Sequence, residues 1–168
     1  PEARRLEARN YRLGTNGFAF APQGGLRLCL RDMDRLAQIM AAGGAYNGRQ
    51  LLRADALELM QRPVWRYDPA NPNGFPSEVF QGYGLAMQTP QGLPGAAGDA
   101  FFGADSADWR GHLGDAYGWM TGLFWNIKDK RTIVWAVNGM PETERPAGKR
   151  SALTAPEEAL IELAVGRS

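Results

Sequence analysis

Hydrophobic and polar positions between residues 117 and 138 predict an antiparallel hairpin. The first strand covers residues 117–127, the second covers residues 132–138, and the charged residues 128–131 form the solvated turn between them. Aromatic and β-branched side chains, which suit a pleated and half-buried surface, fill both strands. One face of the first strand holds Trp119, Thr121, Leu123, Trp125 and Ile127. The other face holds Met120, Gly122 and Phe124. Since both faces are largely apolar, we expect this sheet to be covered on both sides.

Two stretches upstream of the hairpin have helical spacing. In the first, Met33, Leu36, Ala37 and Met40 follow the i, i+3, i+4, i+7 pattern, which predicts a helix from Asp32 to Met40. Gly43 and Gly44 provide the left-handed stop that commonly ends such a helix. A turn at residues 46–48 then leads to a second short helix at residues 54–61, which Pro63 ends.

A third helix is predicted near the end of the chain. Residues 154–157 read Thr-Ala-Pro-Glu, a capping box with proline in the first turn. We expect a buried stripe of Leu160, Leu163 and Ala164, and we expect Glu157 and Glu158 to lie on the solvated face.

The remaining segments complete an α+β pattern. Residues 1–25 are predicted to be loop with a short extended piece at residues 18–20, and the proline-rich residues 63–82 are predicted to be loop. Tyr83 to Gln88 reads as a strand. The order is helix, helix, three or four antiparallel strands and a closing helix, which predicts helices packed on an antiparallel sheet. The whole chain, residues 1–168, is expected to be a single domain or part of one.

Composition excludes several classes of function. The formal net charge is +1 and no basic run is present, so nucleic-acid binding is not expected. No apolar stretch is long enough to span a bilayer. The single cysteine, Cys29, excludes an internal disulfide and a cysteine-based metal cage, and we expect it to be a buried, inert thiol.

The one histidine of the chain, His112, lies between Gly111 and Leu113 and just before the hairpin. It is either a structural histidine at the start of a strand or a residue of a functional cleft. A metal site with Asp108 or Asp115 lacks a recognisable ligand spacing, so neither a metal nor another cofactor is predicted. The glycines at 111, 114 and 118 favour close strand packing or a bulge over a phosphate cradle.

Several motifs together resemble the C-terminal half of the serine β-lactamase-like family. In chain order they are Pro-Gln-Gly-Gly-Leu at 22–26, the helix at 32–40, the glycine-containing turn at 44–48, Tyr-Gly-Leu at 83–85, Gly-His-Leu-Gly at 111–114, and the aromatic hairpin ending at residue 138. This family includes class C β-lactamases, D-alanyl-D-alanine carboxypeptidases (penicillin-binding proteins), D-aminopeptidases and related esterases. The resemblance covers about residues 17–166 and implies the C-terminal part of the β-lactamase/transpeptidase-like fold.

The resemblance also implies roles for five residues. His112-Leu113-Gly114 is similar to the family's third motif, a Lys-Thr-Gly or His-x-Gly on a strand that lines the cleft. By this likeness His112 lies near the nucleophile or the substrate, Gly114 lets the substrate approach the strand, and the backbone N–H of Asp115 is one oxyanion donor. Leu113 and Tyr117 are the expected substrate-binding residues, although Tyr117 also fits a role in the core.

The family's other two motifs are missing. None of the serines at 77, 106, 151 and 168 begins a Ser-x-x-Lys, and no tyrosine begins a Tyr-x-Asn. The serine nucleophile, its lysine base and the proton shuttle are therefore not in this chain, which is not expected to be active alone. Asp115 is a further departure, because its carboxylate would lie beside an anionic substrate.

Two hypotheses follow. In the first, the chain is the C-terminal part of a serine hydrolase that transfers the acyl group of an amide, ester or lactam through an acyl-enzyme. The nucleophile then lies in a missing N-terminal segment, in keeping with a chain that begins at Pro1 without an initiator methionine. In the second, the chain is a truncated, non-catalytic homologue that serves binding or assembly.

The partners expected under these hypotheses are a small-molecule or peptide acyl substrate and the missing N-terminal segment. We also expect exposed apolar surface and an unpaired strand edge, which would drive formation of a homodimer. The resemblance implies a periplasmic or secreted protein, because the family is usually exported.

Overall fold

A computed structural model describes residues 12, 26, 28–68, 70–71, 79, 81–116, 118–141 and 143–166. Its helices and strands are α1 (Leu30–Ala41), β1 (Ala45–Tyr46), β2 (Arg49–Gln50), α2 (Ala54–Gln61), β3 (Trp65–Arg66), β4 (Gly82–Tyr83), a 3-10 helix (Gly103–Asp108), β5 (Trp109–Ala116), β6 (Trp119–Asn126), β7 (Thr132–Asn138) and α3 (Ala155–Val165). The α+β class is confirmed. The expected extended piece at residues 18–20 lies outside the described residues.

The sheet is antiparallel, in the order β5-β6-β7. His112 pairs with Leu123 and Leu123 pairs with Val134, so these three side chains share one face. The short β3–β4 pair joins this sheet through two bridges, from Tyr83 to Gln88 and from Gln88 to Gly111. Among the described residues no strand pairs with the far edge of β7.

The expectation that both faces of the sheet are covered is confirmed in the middle of β6. Trp125 packs with α1 and α2 against residues such as Ala41 and Leu57. The neighbouring Phe124 points to the other side and packs with Trp135 and with a loop that precedes β5. Burying an aromatic or aliphatic side chain of this size contributes about 1.5–3 kcal/mol, so β6 stabilises two separate apolar clusters.

Helices α1 and α2 follow the predicted pattern closely. Helix α1 ends at two glycines with positive φ, Gly43 at +70° and Gly44 at +89°. The hairpin that joins β1 to β2 turns at Asn47 and Gly48, which also have positive φ. These angles match the two-residue turn whose twist suits antiparallel strands.

The prediction of one strand from Tyr83 to Gln88 is wrong. The chain reverses there, because Ala86 has a φ of +56° and the N–H of Gly84 donates to the carbonyl oxygen of Met87. Tyr83 and Gln88 therefore face each other across a tight turn. The predicted loop at 63–82 is also wrong at β3, where Trp65 pairs with Tyr83.

The predicted capping box of α3 is confirmed, but the prediction that Leu160, Leu163 and Ala164 form its buried face is wrong. The hydroxyl and the N–H of Thr154 both donate to Glu157 Oε2, at 2.7 and 3.1 Å. Glu157 and Glu158 are 1% and 8% exposed, whereas Leu163 is 83% exposed. The reason is that the two carboxylates accept hydrogen bonds from the body of the protein, so their face of the helix is turned inward and the leucine face outward.

Close packing explains two of the glycines of the β5 region, as predicted. A Cβ on Gly111 would lie 2.5 Å from the ring of Phe124, and one on Gly114 would lie 2.4 Å from the hydroxyl of Thr121. Gly118 has a φ of +78° in the turn between β5 and β6. Glycine is therefore required at all three positions, at two of them for lack of space and at Gly118 for its positive φ.

None of the helices in the described part of the chain has the length and apolar content that a bilayer-spanning segment needs.

Candidate functional site

The candidate site is the outer edge of β5, the edge that faces away from β6. Gly111 donates its N–H to the backbone oxygen of Gln88, and Leu113 donates its N–H to the Gln88 side-chain oxygen at 2.9 Å. Backbone N–H groups alternate between the two edges of an antiparallel strand. The N–H of Asp115, two residues further on, therefore points to the same outer edge.

His112 forms a pair with Tyr83 at this edge. Its Nε2 lies 2.9 Å from the Tyr83 hydroxyl, and its Nδ1 is within hydrogen-bond distance of the carbonyl oxygen of Leu113. A carbonyl oxygen only accepts, so Nδ1 carries the proton and, in the neutral ring, Nε2 accepts from the tyrosine hydroxyl. Burial raises the pKa of Tyr83 above its ordinary value, which keeps that hydroxyl protonated and able to donate.

An apolar cavity of about 420 Å³ lies on the α1 face of the sheet, beside His112. We call it the α1-face cavity. Its walls come from α1, from the segment after β2, from the turn before Gln88, and from β5 and β6. The lining residues are Leu36, Ile39, Met40, Leu51, Leu52, Ala86, Met87, Gly111, His112, Leu123 and Trp125. The imidazole of His112 is the only side chain in this lining that carries an ionisable group.

A second cavity, of about 450 Å³, lies on the opposite, α3 face of β5. It brings together four of the five predicted site residues, His112, Leu113, Gly114 and Asp115, with Met120 and part of α3 among its other walls. His112 borders both cavities because it lies at the edge of the sheet. The fifth predicted residue, Tyr117, lies outside the described residues.

The carboxylate of Asp115 is paired, which changes the expectation made for it. Arg145 contacts it through two nitrogens, at 2.5 and 2.9 Å, in a bidentate arrangement. Such a planar fork matches the geometry of a carboxylate and offsets its charge. The carboxylate therefore does not face a substrate as an isolated negative charge.

The two described serines are structural. Ser106 is fully buried, accepts the N–H of Phe102 and donates to the carbonyl oxygen of Gly103. Ser151 is buried and donates to Glu158. Neither hydroxyl is available for attack on a substrate, while Ser77 and Ser168 lie outside the described residues.

The prediction that Cys29 is buried is wrong. The thiol is exposed and donates to the carboxylate of Asp32 at 3.2 Å, at the start of α1. A polar partner within one helical turn holds the thiol at the surface. Within the residues that the structure describes, no group of three histidine, cysteine or acidic side chains is placed to hold a metal ion.

Sequence reasoning missed three residues that shape this site. The sequence pattern places Tyr83 in a strand without a role beside His112, and it predicts Gln88 as the end of that strand. Gln88 is buried and its side-chain oxygen accepts the N–H of Leu113. A polar residue after an apolar pair is the signal that could have drawn attention to Gln88. Arg145 gave no such signal, because it lies 30 residues from Asp115 in a polar connection.

No protein-family model, no curated protein and no solved structure matches this chain.

Proposed function

We propose that this chain is the C-terminal part of a β-lactamase-like serine hydrolase, which transfers the acyl group of an amide, ester or lactam through an acyl-enzyme. One observation carries the proposal. The Gly-His-Leu-Gly-Asp run of residues 111–115 lies along the outer edge of β5, next to a cavity on each face. The proposal includes a periplasmic or secreted location and a fold of the β-lactamase/transpeptidase type.

The chemistry assigned to this edge is stabilisation of charge and positioning of substrate. When a serine attacks a carbonyl carbon, negative charge develops on the carbonyl oxygen, and a preorganised N–H lowers the energy of that state. The outward N–H of Asp115 is the proposed donor. The hydroxyl of Thr121 fills the space beside Gly114, so that glycine serves strand packing, and the His112–Tyr83 pair provides the fixed polar group beside the donor.

The nucleophile is proposed to lie outside these residues. The two described serines are buried and hydrogen-bonded, and no serine of the sequence begins a Ser-x-x-Lys. A Ser-x-x-Lys segment supplied by the same polypeptide or by a second one would have to approach the outer edge of β5. Gln88 occupies this edge at Gly111 and Leu113, so the segment would approach beyond Leu113, at Asp115.

The test is intact-mass analysis of the native material that contains this sequence, after treatment with a fluorophosphonate probe. We expect one probe to add to a serine of a Ser-x-x-Lys segment present in that material. The variant His112→Ala, which removes the polar pair with Tyr83 at an exposed position, should slow labelling, whereas Glu58→Ala on the exposed side of α2 should not. Absence of labelling in native material that contains both this chain and a Ser-x-x-Lys segment would exclude a serine hydrolase.

A second candidate is a non-catalytic module for binding or assembly. It is favoured by the outward face of α3, which consists of alanines and leucines and includes the highly exposed Leu163. Exposed apolar patches of this kind mark interaction sites. A native complex that retains an intact partner but never reacts with the probe would support this candidate, with a homodimer as its simplest form.

A further inference from the structure

We infer that the α1-face cavity binds an uncharged aliphatic acyl chain, with the chain along the apolar walls and the carbonyl group toward the outer edge of β5. This inference deepens the proposed function and rests on it for the identity of the acyl group as substrate. Binding of the chain itself depends only on the residues described above.

The walls of the cavity select for apolar groups. The walls are formed by Leu36 and Met40 of α1, by Leu123 and Trp125 of β6, and by Leu52 and Met87 from the connecting segments. The lining has no lysine, arginine, aspartate or glutamate. A charged group placed here would lose its hydration without gaining a partner, which is strongly unfavourable. An uncharged hydrocarbon chain meets no such cost.

The polar end of the cavity fixes the direction of the ligand. On β6, Leu123 pairs with His112 and Trp125 pairs with Arg110, so the cavity runs along the sheet from the level of Trp125 to the level of His112. Beyond His112 the same strand presents Gly114 and the outward N–H of Asp115. A chain whose tail lies toward Trp125 therefore has its carbonyl end at His112, the end of the cavity nearest to Gly114 and Asp115 along the strand.

The volume of the cavity is suited to a small molecule. About 420 Å³ falls within the range of roughly 300–1,000 Å³ that is usual for ligand sites. Burying one methylene group improves binding by roughly a factor of four. We therefore expect affinity to rise with chain length and to stop rising when the chain reaches the end of the cavity.

The experiment measures binding of a homologous series of 2-alkanones to this chain, by calorimetry. These probes have an uncharged carbonyl group and cannot acylate a nucleophile. The expected result is roughly fourfold tighter binding per methylene, followed by a plateau. The variants Leu36→Asp and Leu52→Asp, each at a partly exposed wall residue, should weaken binding at least about tenfold. Leu163→Asp, at an exposed leucine of α3, is the matched control and should leave binding within about twofold.

Three results would overturn the inference. Affinity that does not depend on chain length would exclude an apolar channel, and equal losses in Leu36→Asp and Leu163→Asp would indicate adsorption to the surface. Loss of alkanone binding when a polypeptide with the Ser-x-x-Lys segment is bound would mean that this polypeptide fills the cavity. The proposed function fails separately, through absence of probe labelling, because alkanone binding requires no nucleophile.

Discussion

The indole N–H of Trp135 donates to Glu157 Oε1 at 3.0 Å, so a buried carboxylate joins β7 to α3. Its other oxygen accepts from the N–H and the hydroxyl of Thr154. One side chain therefore caps the helix and also attaches it to the sheet. Hydrogen bonds to a charged acceptor in a buried site are worth more than those between neutral groups.

Glu157→Ala should lower the free energy of unfolding by about 3 kcal/mol, because three buried donors lose their acceptor. Glu157→Gln should cost less, since the amide oxygen still accepts from one side while its NH₂ group opposes a donor on the other. Both are measured by urea denaturation. The control is Glu58→Ala, an exposed residue of α2, which should change stability by no more than about 0.5 kcal/mol. Equal stability of Glu157→Ala and the parent chain would contradict the role assigned to this carboxylate.

Glu158 should make stability depend on pH in the acidic range. Burial alone raises its pKa. Hydrogen bonds from the N–H groups of Lys149, Arg150 and Ser151 and from the Ser151 hydroxyl together lower it by more than burial raises it, so the net pKa lies below its ordinary value. The stabilisation is therefore present above the unfolded pKa of about 4.3 and is lost as pH falls through the folded value.

The test of this pH dependence compares the parent chain with Glu158→Gln. The variant should be less stable by about 1–3 kcal/mol near neutral pH, because its amide cannot accept all of these bonds. The difference should shrink as pH falls below about 4. Asp55→Asn, at an exposed ion pair with Arg53, is the control and should show little difference at any pH. A stability difference between the parent chain and Glu158→Gln that grew as pH fell would contradict this prediction.

Tyr83 should ionise above the ordinary tyrosine pKa of about 10, because burial raises its pKa. The ultraviolet absorbance of tyrosinate, followed through an alkaline titration, should contain a late component that Tyr83→Phe removes. The stabilisation linked to this group is present below about pH 10 and is lost as pH rises through the raised value. If Tyr83→Phe removed a component that titrates at the ordinary value, the hydroxyl would not be desolvated beside His112.

Gly122→Ala should be strongly destabilising for a reason different from backbone freedom. A Cβ at this position would lie 2.2 Å from two atoms of the Trp135 ring, which is itself buried. Overpacking of this kind costs about 1–3 kcal/mol. A double-mutant cycle with Trp135→Phe, which shortens the ring, should recover part of the loss. Additive effects of the two substitutions would show that the clash with the Trp135 ring is not the source of the loss.

Local patterns predicted the elements whose residues contact mainly their chain neighbours. Helices α1 and α2, the turn at Asn47 and Gly48, and the capping box all follow from spacing, glycine conformation and nearby side chains. The reversal near Ala86 was missed because a positive φ at alanine has no signal in the sequence. Non-local pairs were missed for the same kind of reason, since the Arg145 that holds Asp115 lies far from it along the chain.

The sequence predicts only part of the candidate site. The likeness of His112-Leu113-Gly114 to a known motif pointed to the edge of β5, and four of the five residues chosen there border one cavity. The direction of the His112 hydrogen bonds depends on Tyr83 and on the Leu113 carbonyl oxygen, which meet only in the folded chain. Contacts of this kind are set by the tertiary fold and have no local sequence pattern.

The orientation of α3 has a practical consequence for handling the protein. A solubility-engineering effort that followed residue type alone would keep Leu163 and replace the adjacent glutamates, and it would remove the groups that hold the helix in place. The safe positions are the reverse: lysine at residue 163 or 160 should reduce aggregation at high concentration without altering the melting temperature. Glu157 and Glu158 should be treated as core residues in any redesign.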